Sequence, residues 1–331
     1  MQISSNKIQL AAKIKKYFLA RHPLGKKTKL KSFKFLGGGN HFNFLLKTNK
    51  GNFVLRIARP EALGAGVLFG IPNEFTLLKL IEKYEVAPKA VAVDLENFEL
   101  PFLIEKFILG RKYSSYEKLS EKQIKEAMRL MAKISKINLP PEIFPFKFSY
   151  QSYETSISGW QRRLNEIKKL GHDKKDLNQI IKKFGLIINQ AAKILLHNKK
   201  LLEETKTSFI YNDAHGGNIL WLSKKAIFID WQKVSLGDPS FMPAVFALAV
   251  EKKVPFKREE FFSWFAKEYN KLVGIKNFEK LFRLRILERE VANMLWVVWE
   301  ALKLGKKLPF KNLENYERFA RVRRILNESQ F

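Results

Sequence analysis

The chain has 331 residues, 46% of them hydrophobic, and contains no cysteine. That length exceeds the usual single-domain core and points to two lobes, while the missing cysteine excludes disulfides and thiolate metal sites. Against 32 acidic residues stand 61 lysines and arginines, a net charge of +29, which draws polyanions and anionic membrane surfaces non-specifically without identifying a partner. The basic residues are spread along the chain, in KKTKLK, KKDLNQIIKK and ERFARVRR. A solvated basic surface, with only non-specific attraction for nucleic acid, therefore fits better than a dedicated nucleic-acid site. The N-terminal MQISSNKIQLAAKIKKYF lacks the apolar core and cleavage site of a signal peptide, and no uncharged run reaches membrane-spanning length, so a cytoplasmic protein without a transmembrane segment is expected.

Ile8, Leu10, Ala11, Ile14, Tyr17 and Phe18 recur between lysines and predict an amphipathic helix over residues 6–19, closed by His22-Pro23-Leu24-Gly25. Residues 31–60, KSFKFLGGGNHFNFLLKTNKGNFVLRIARP, read as strand, glycine turn, strand, Asn49-Lys50-Gly51 turn and strand. Gly37, Gly38 and Gly39 let backbone N–H groups approach a phosphate because no side chain intervenes; a plain glycine hairpin has the same composition. The strand that follows carries Arg56. IPNEFTLLKLIEKY predicts a helix opened by Pro72-Asn73, with Phe75, Leu77, Leu78 and Ile81 inward. Glu74 falls in its first turn, where the helix dipole favours an acid. Val86-Ala87-Pro88 begins a strand-like pair ending in FLIEKFILG. The boundary follows there, giving residues 1–108 as one lobe and 109–331 as the other.

Beyond it the sequence turns helical. Ser120-Glu121-Lys122-Gln123 is a capping-box start, and Ile124, Ala127, Met128, Leu130, Met131, Ile134 and Ile137 continue a buried stripe. LPPEIFPFKFSYQSY reads as an extended connector. Further helices are predicted over 157–170, 177–197, 240–252, 259–272, 277–303 and 313–327.

Between these helices lies SFIYNDAHGGNILWLSKKAIFIDWQKVSLGD, residues 208–238. Two short apolar runs each deliver a carboxylate, Asp213 and Asp230, and Asn218 lies between them. The pattern suggests a hairpin that brings both loop ends to one edge of a small sheet. Phosphoryl transfer needs magnesium held against the phosphates and an acceptor hydroxyl oriented in line, with a carboxylate to receive its proton. Asp213 suits the proton acceptor; Asn218 and Asp230 offer hard oxygens for Mg2+. Asp-x4-Asn followed by an aspartate ending an apolar strand is a spacing shared with protein kinases, although a simple hairpin with a polar loop has similar letters.

Around that spacing, YNDAHGGNIL followed by FIDWQKVSLGDPSF resembles the aminoglycoside phosphotransferase and choline kinase superfamily, small-molecule kinases of the protein-kinase-like fold. Two blocks agree in order and spacing, and the resemblance covers roughly residues 30–249. It implies an α+β bilobal fold: a small N-terminal antiparallel β-sheet lobe with a helix, and a larger, mainly helical C-terminal lobe. It also implies ATP and Mg2+ as cofactors, Asp213 as catalytic base and Asn218 with Asp230 as metal ligands. Gly37, Gly38 and Gly39 would cover the nucleotide phosphates. Arg56 would hold those phosphates with Glu74 as its partner, a planar fork where protein kinases have a lysine's point charge. Backbone groups near Glu105 and Phe107 would receive adenine.

For the acceptor, the resemblance makes His215 a residue that positions the loop, and Trp231 follows the second aspartate. Trp296 and Trp299 stand three apart on a helical face, like the late helix of choline kinases whose aromatic rings surround a quaternary ammonium; core packing is the plainer use of such residues. Glu288, Glu290 and Glu300 either offer charge to an amine or form a solvated surface. The family's first block usually begins His-Gly-Asp or His-Asn-Asp, where this chain has Tyr211-Asn212-Asp213, and its Gly-Asp-Pro-x-x-Asp becomes Gly237-Asp238-Pro239-Ser240-Phe241-Met242. The paired change is either a repacked support or a sign of impaired catalysis. Retention of Asp213, Asn218 and Asp230 favours an active enzyme: an ATP-dependent kinase of a small hydroxyl compound such as an amino alcohol (choline or ethanolamine), a sugar or an aminoglycoside-like molecule. The basic C-terminal portion counts against an antibiotic. The second expectation is a nucleotide-binding pseudokinase whose basic surface docks RNA or acidic proteins.

Overall fold

Period-two alternation sorts the N-terminal strands into an apolar face and a functional face. The computed structural model describes all residues except 1, 39–40, 60–69, 113–117, 140–149, 172–174, 224, 309, 311–312 and 328–331. The chain divides into two compact units: Met1–Lys112 with Leu139–Lys147 and Asn218–Lys233, and Tyr113–Asn138 with Phe148–Gly217 and Val234–Phe331.

The first unit comprises α1 (Gln2–Arg21), β1 (Leu30–Gly37), β2 (His41–Thr48), β3 (Gly51–Ala58), α2 (Ile71–Ile81), β4 (Ala90–Asp94) and β5 (Phe102–Lys106). Its sheet has the order β1-β2-β3-β5-β4, with every neighbouring pair antiparallel. Phe44 and Leu46 of β2, Phe53, Leu55 and Ile57 of β3, and Phe102 and Ile104 of β5 pack against Leu10, Ile14 and Phe18 of α1 in one core. Each such side chain contributes about 1.5–3 kcal/mol when fully buried, so a one-residue slip, which would turn the whole set outward, is strongly disfavoured. The same alternation sends Asn43, Arg56 and Glu105 to the opposite face. Pairing sets Asn43 across from Arg56 and Val54 across from Glu105. The hairpin of Ile219–Trp221 with Ala226–Phe228 also belongs to this unit. It is tied in by the Phe228 N–H, which donates to the Val86 carbonyl at 3.0 Å, and by a mutual pair of bonds between Arg111 and Trp221 at 2.9 and 3.0 Å.

The second unit contains α3 (Glu121–Ser135), α4 (Tyr153–Leu170), α5 (Lys175–His197), α6 (Lys199–Glu203), α7 (Phe241–Val250), α8 (Arg258–Val273), α9 (Phe278–Lys303) and α10 (Glu317–Asn327). The capping box read at Ser120 and Gln123 forms. The helix predicted from residue 157 starts earlier, at Tyr153, because Ser152 caps it by accepting the Thr155 N–H. The last helix starts later than predicted, at Glu317, after a separate 3-10 turn Leu313–Asn315. The antiparallel strands Ser208–Tyr211 and Val234–Gly237 form a two-stranded sheet. α9 is the central element, buried along most of its length and packed against α4, α5, α7, α8 and α10. The extended connector expected near residues 139–153 falls largely outside the described residues. Among the described residues no helix is long and apolar enough to cross a membrane.

Candidate active site

Because Phe53, Leu55 and Ile57 take the core side of β3, Arg56 projects from the other side, where it is only 4% exposed. There one guanidinium meets three carboxylates. Arg56 Nη1 lies 2.8 Å from Glu74 Oε1, Nη2 lies 2.6 Å from Asp230 Oδ1, and Glu105 Oε2 is 4.0 Å from Nη1. Glu74 shares the inner face of α2 with Leu77, Leu78 and Ile81, and its Oε1 also accepts the Trp231 backbone N–H at 2.9 Å. Burial pushes both Glu74 and Glu105 up to about 7, against the pull of Arg56. Asp230 is the more exposed acid; burial opposes its charge, yet the Arg56 guanidinium holds it below the usual carboxylate range. His41, whose Nδ1 is 3.4 Å from Arg56 Nη2, is pushed down to about 4 by burial and then by Arg56, and is neutral at pH 7.

This cluster makes stability depend on pH. Between pH 4.5, the ordinary glutamate value, and about 7 the folded protein keeps a proton on Glu105 that the unfolded chain has lost, so this contribution falls as pH rises. His41 acts in the opposite sense between about 4 and 6.5, because there the unfolded chain binds the extra proton. The informative quantity is therefore a difference. Glu105→Gln is expected to gain stability over the native protein progressively from pH 4.5 to 7, by on the order of 1–3 kcal/mol, in urea titrations across that range. A pH-independent offset would rule out the retained proton.

A cavity of about 450 Å³ opens beside the cluster, within the first unit. Its lining includes Gly38, Arg56, Glu105, Phe107, Asn218 and Asp230, together with Asn43 and Lys112. Gly38 has φ +129°, and a Cβ there would stand 2.3 Å from the His41 carbonyl oxygen, so only glycine fits. Gly37 ends β1 with φ 95°; Gly39 lies outside the described residues. Asp230 adopts the left-handed region, φ 65°, which a non-glycine residue occupies at some strain and which recurs at functional loops. Trp231 anchors the loop beyond it. Its indole N–H donates to the Phe228 carbonyl at 2.9 Å and its side chain is fully buried, which corrects the expectation that Trp231 could touch a substrate.

In the segment expected to receive adenine, two backbone N–H groups are engaged within the sheet. The Lys106 N–H already donates to the Lys89 carbonyl at 2.8 Å, and the Phe107 N–H to the Asn52 carbonyl at 3.1 Å, since antiparallel pairing runs one residue past β5. The Glu105 side chain belongs to the Arg56 cluster. Among the described residues no group of three His, Asp or Glu could hold a metal ion. Magnesium, however, keeps several waters and phosphate oxygens and needs only one or two protein ligands. Asn218 and Asp230, which share the cavity, fit that requirement. The sequence reading missed His41, Asn43 and Lys112. Strand alternation could have found Asn43, which pairs with Arg56; no local pattern marks the other two.

Asp213 belongs to the second unit; the chain passes to the first between Gly217 and Asn218. The strand Ser208–Tyr211 leads into its turn, where the His215 N–H donates to the Asp213 carbonyl at 2.8 Å. His215 Nδ1 accepts the Gly217 N–H at 3.1 Å, and Nε2 lies 3.8 Å from Asp213 Oδ2. Asn212 Oδ1 accepts from the Ser235 hydroxyl at 2.8 Å, joining the turn to the partner strand. Tyr211 and Met242, the two departures from the family pattern, are both buried, on a strand and a helix that pack together. A second cavity, of about 480 Å³, is lined by Asp213, His215, Lys253 and Arg289 among others.

Three acceptor expectations change in this unit. Glu288 is buried, receiving Arg285 and the Ser156 hydroxyl, and Glu290 is buried against Arg258 and Arg321; both are internal ion-pair partners, neither solvated nor offered to an amine. Trp296 is 46% exposed and Trp299 half-buried, so neither fills the core. Their rings are 4.9 Å apart, and the Arg163 guanidinium sits 3.9 Å from the Trp299 ring centroid. Neither tryptophan lines the cavity at Asp213.

The pattern of the phosphotransferase enzyme family, APH, matches residues 32–301. No curated protein matches the chain significantly. Among solved structures, the choline kinase LicA of Streptococcus pneumoniae superposes with a TM-score of 0.63 at 15% identity, covering 96% of this chain and 99% of that one. Choline kinase from Cryptosporidium parvum Iowa II gives 0.61 at 16% identity over 90% and 88%. A spectinomycin phosphotransferase in complex with ADP and spectinomycin gives 0.57 at 14% identity over 89% of each chain. At these identities the likeness establishes the fold: an antiparallel five-stranded sheet and a helical remainder, as in the choline and aminoglycoside kinases. With the family pattern matched over most of its length, the chain belongs to the phosphotransferase enzyme family, APH.

Proposed function

We propose that the protein transfers the γ-phosphoryl group of ATP to a hydroxyl of a small molecule, in a magnesium-dependent reaction. The observation that carries this reading is the single cavity that gathers Gly38, Arg56, Asn218 and Asp230 in a chain of the phosphotransferase family. Arg56 is preorganised for phosphate by the acids around it: a fixed guanidinium presents a fork that matches phosphate oxygens. Asn218 and Asp230 would hold Mg2+, which when bound offsets phosphate charge. Gly38 lets the backbone approach without a side chain. Asp213 orients the acceptor hydroxyl and receives its proton. Tyr211 and Met242 support a repacked brace for this loop, because both are buried on packed elements, and the three polar groups that do the chemistry are retained.

Nucleotide binding tests the first half of the proposal. ADP at about 100 times its Kd should stabilise the protein by about 2.7 kcal/mol, more strongly with magnesium than without. Asp230→Asn is expected to remove the magnesium-dependent part of the thermal shift. A shift indifferent to both magnesium and this substitution would sink the assignment of the metal ligands.

A further inference from the structure

The cavity at Asp213 carries an uneven set of charges. Five cations line it, Lys252, Lys253, Arg289, Arg318 and Arg321, against Asp213 and three glutamates. Those glutamates are already engaged. Glu251 accepts from Arg258 at 2.7 Å and Arg321 at 2.5 Å. Glu290 accepts from Arg258 at 2.7 Å and Arg321 at 3.3 Å, and Glu317 pairs with Lys252 at 2.9 Å. Arg289 and Lys253 are the exceptions: both are half-buried, and neither makes a hydrogen bond or ion pair with its side chain among the described residues.

For Arg289 that is an expensive arrangement. Burial works against its charge, and only Glu288 and Asp213 support it through space; its ring contact, Phe241, is 5.6 Å away. A half-buried cation without a hydrogen-bonded anion is costly to keep, so its retention is explained if a ligand supplies the anion. Lys253 reaches the same loop. A Cβ placed on Gly216 would lie 3.8 Å from Lys253 Nζ, which sets the ammonium one residue beyond His215. A cationic acceptor such as an amino alcohol would meet these two charges with no free glutamate to offset them, and like-charge juxtaposition of this kind costs several kcal/mol.

We propose that the acceptor is anionic: a small hydroxyl compound carrying a phosphate or carboxylate group, held by the guanidinium of Arg289 and the ammonium of Lys253 while Asp213 addresses its hydroxyl. The inference rests on the phosphotransfer reading of Asp213. In the step, the acceptor O–H bond breaks and its proton passes to the Asp213 carboxylate. The hydroxyl oxygen forms a bond to the γ-phosphorus as the bond from that phosphorus to the β–γ bridging oxygen breaks, and ADP leaves with the electron pair. A cavity of about 480 Å³ is in the range that encloses molecules of this size.

The test pairs binding with transfer. Calorimetric titration and ATP–magnesium transfer are measured on the full chain with a panel of sugar monophosphates, hydroxy acids, neutral sugars, and choline with ethanolamine. The expected result is binding of, and transfer to, a member of the phosphate or carboxylate arm, and which arm responds identifies the anion. Arg289→Gln and Lys253→Gln should each weaken that binding, and raise KM for that acceptor, about tenfold or more, with a smaller change in kcat. Arg289→Lys should restore part of the loss. Lys253→Gln removes no internal partner, so it reads the site even where Arg289 variants fold poorly. Transfer confined to choline, ethanolamine or neutral sugars overturns the inference and leaves the kinase reading standing. Anion binding indifferent to both substitutions also overturns it. Anion binding lost in the variants, without transfer to any acceptor, keeps the anion site and sinks phosphotransfer; neither binding nor transfer across the panel overturns both.

Discussion

Asp213→Asn is expected to lower phosphotransfer by about 10²–10⁴-fold, the usual contribution of a positioned general base. An amide has nearly the shape of the carboxylate but cannot take the hydroxyl proton, so the loss should fall on kcat and kcat/KM together. The KM for ATP should change little, because Asp213 lines a different cavity from Arg56, Asn218 and Asp230. The turn should survive the substitution: the His215 N–H donates to the Asp213 backbone carbonyl, a bond that does not involve the side chain. Steady-state kinetics on any accepted hydroxyl compound checks both statements. Transfer that persists at the native rate would exclude Asp213 as the base and with it the proposed chemistry.

The largest effect on stability is expected at Arg285. This guanidinium is fully buried, with its Nη2 2.6 Å from Asp238 Oδ2, another bond to the Gln151 carbonyl at 2.8 Å, and Glu288 as a further partner. Asp238 is fully buried too and also receives Ser240. Arg285→Leu would strand two buried carboxylates, and removing one member of such a set costs about 3–5 kcal/mol. Substituting Asp238 as well should recover part of that loss, since the uncompensated charge is reduced. Denaturant titration of the single and double variants gives the comparison; a loss below about 1 kcal/mol for Arg285→Leu would mean that the acids are solvated or neutral. Activity should suffer beyond the loss of folded protein, because Asp238 follows the strand Val234–Gly237, whose partner strand leads into Asp213.

The legibility of this chain differs by level. The five strands and the main helices follow from alternation, 3.6-residue spacing and caps, and the structure has them in the expected order. Errors concentrate at element ends, as at Tyr153 and Glu317, where one side-chain cap or an extra turn shifts the boundary. Within the candidate site, the Arg56–Glu74 pair was anticipated and forms. The additional acids, Glu105 and Asp230, were not expected around Arg56, nor were the buried ion pairs of Glu288 and Glu290.

By itself, the order of residues determined the elements, the face each strand turns to the core, and the spacing of Asp213, Asn218 and Asp230 in the family pattern. Those are local properties, set by side-chain periodicity and by backbone preferences within a few residues. Tertiary structure alone decided which charges meet. Arg56 finds carboxylates from positions 74, 105 and 230, Trp231 is sealed beneath its loop, and Arg289 lines the cavity at Asp213 with no ion pair among the described residues. The reason is physical: a charge's partner and its solvation depend on atoms brought close by folding from distant parts of the chain, and no short-range periodicity records that proximity.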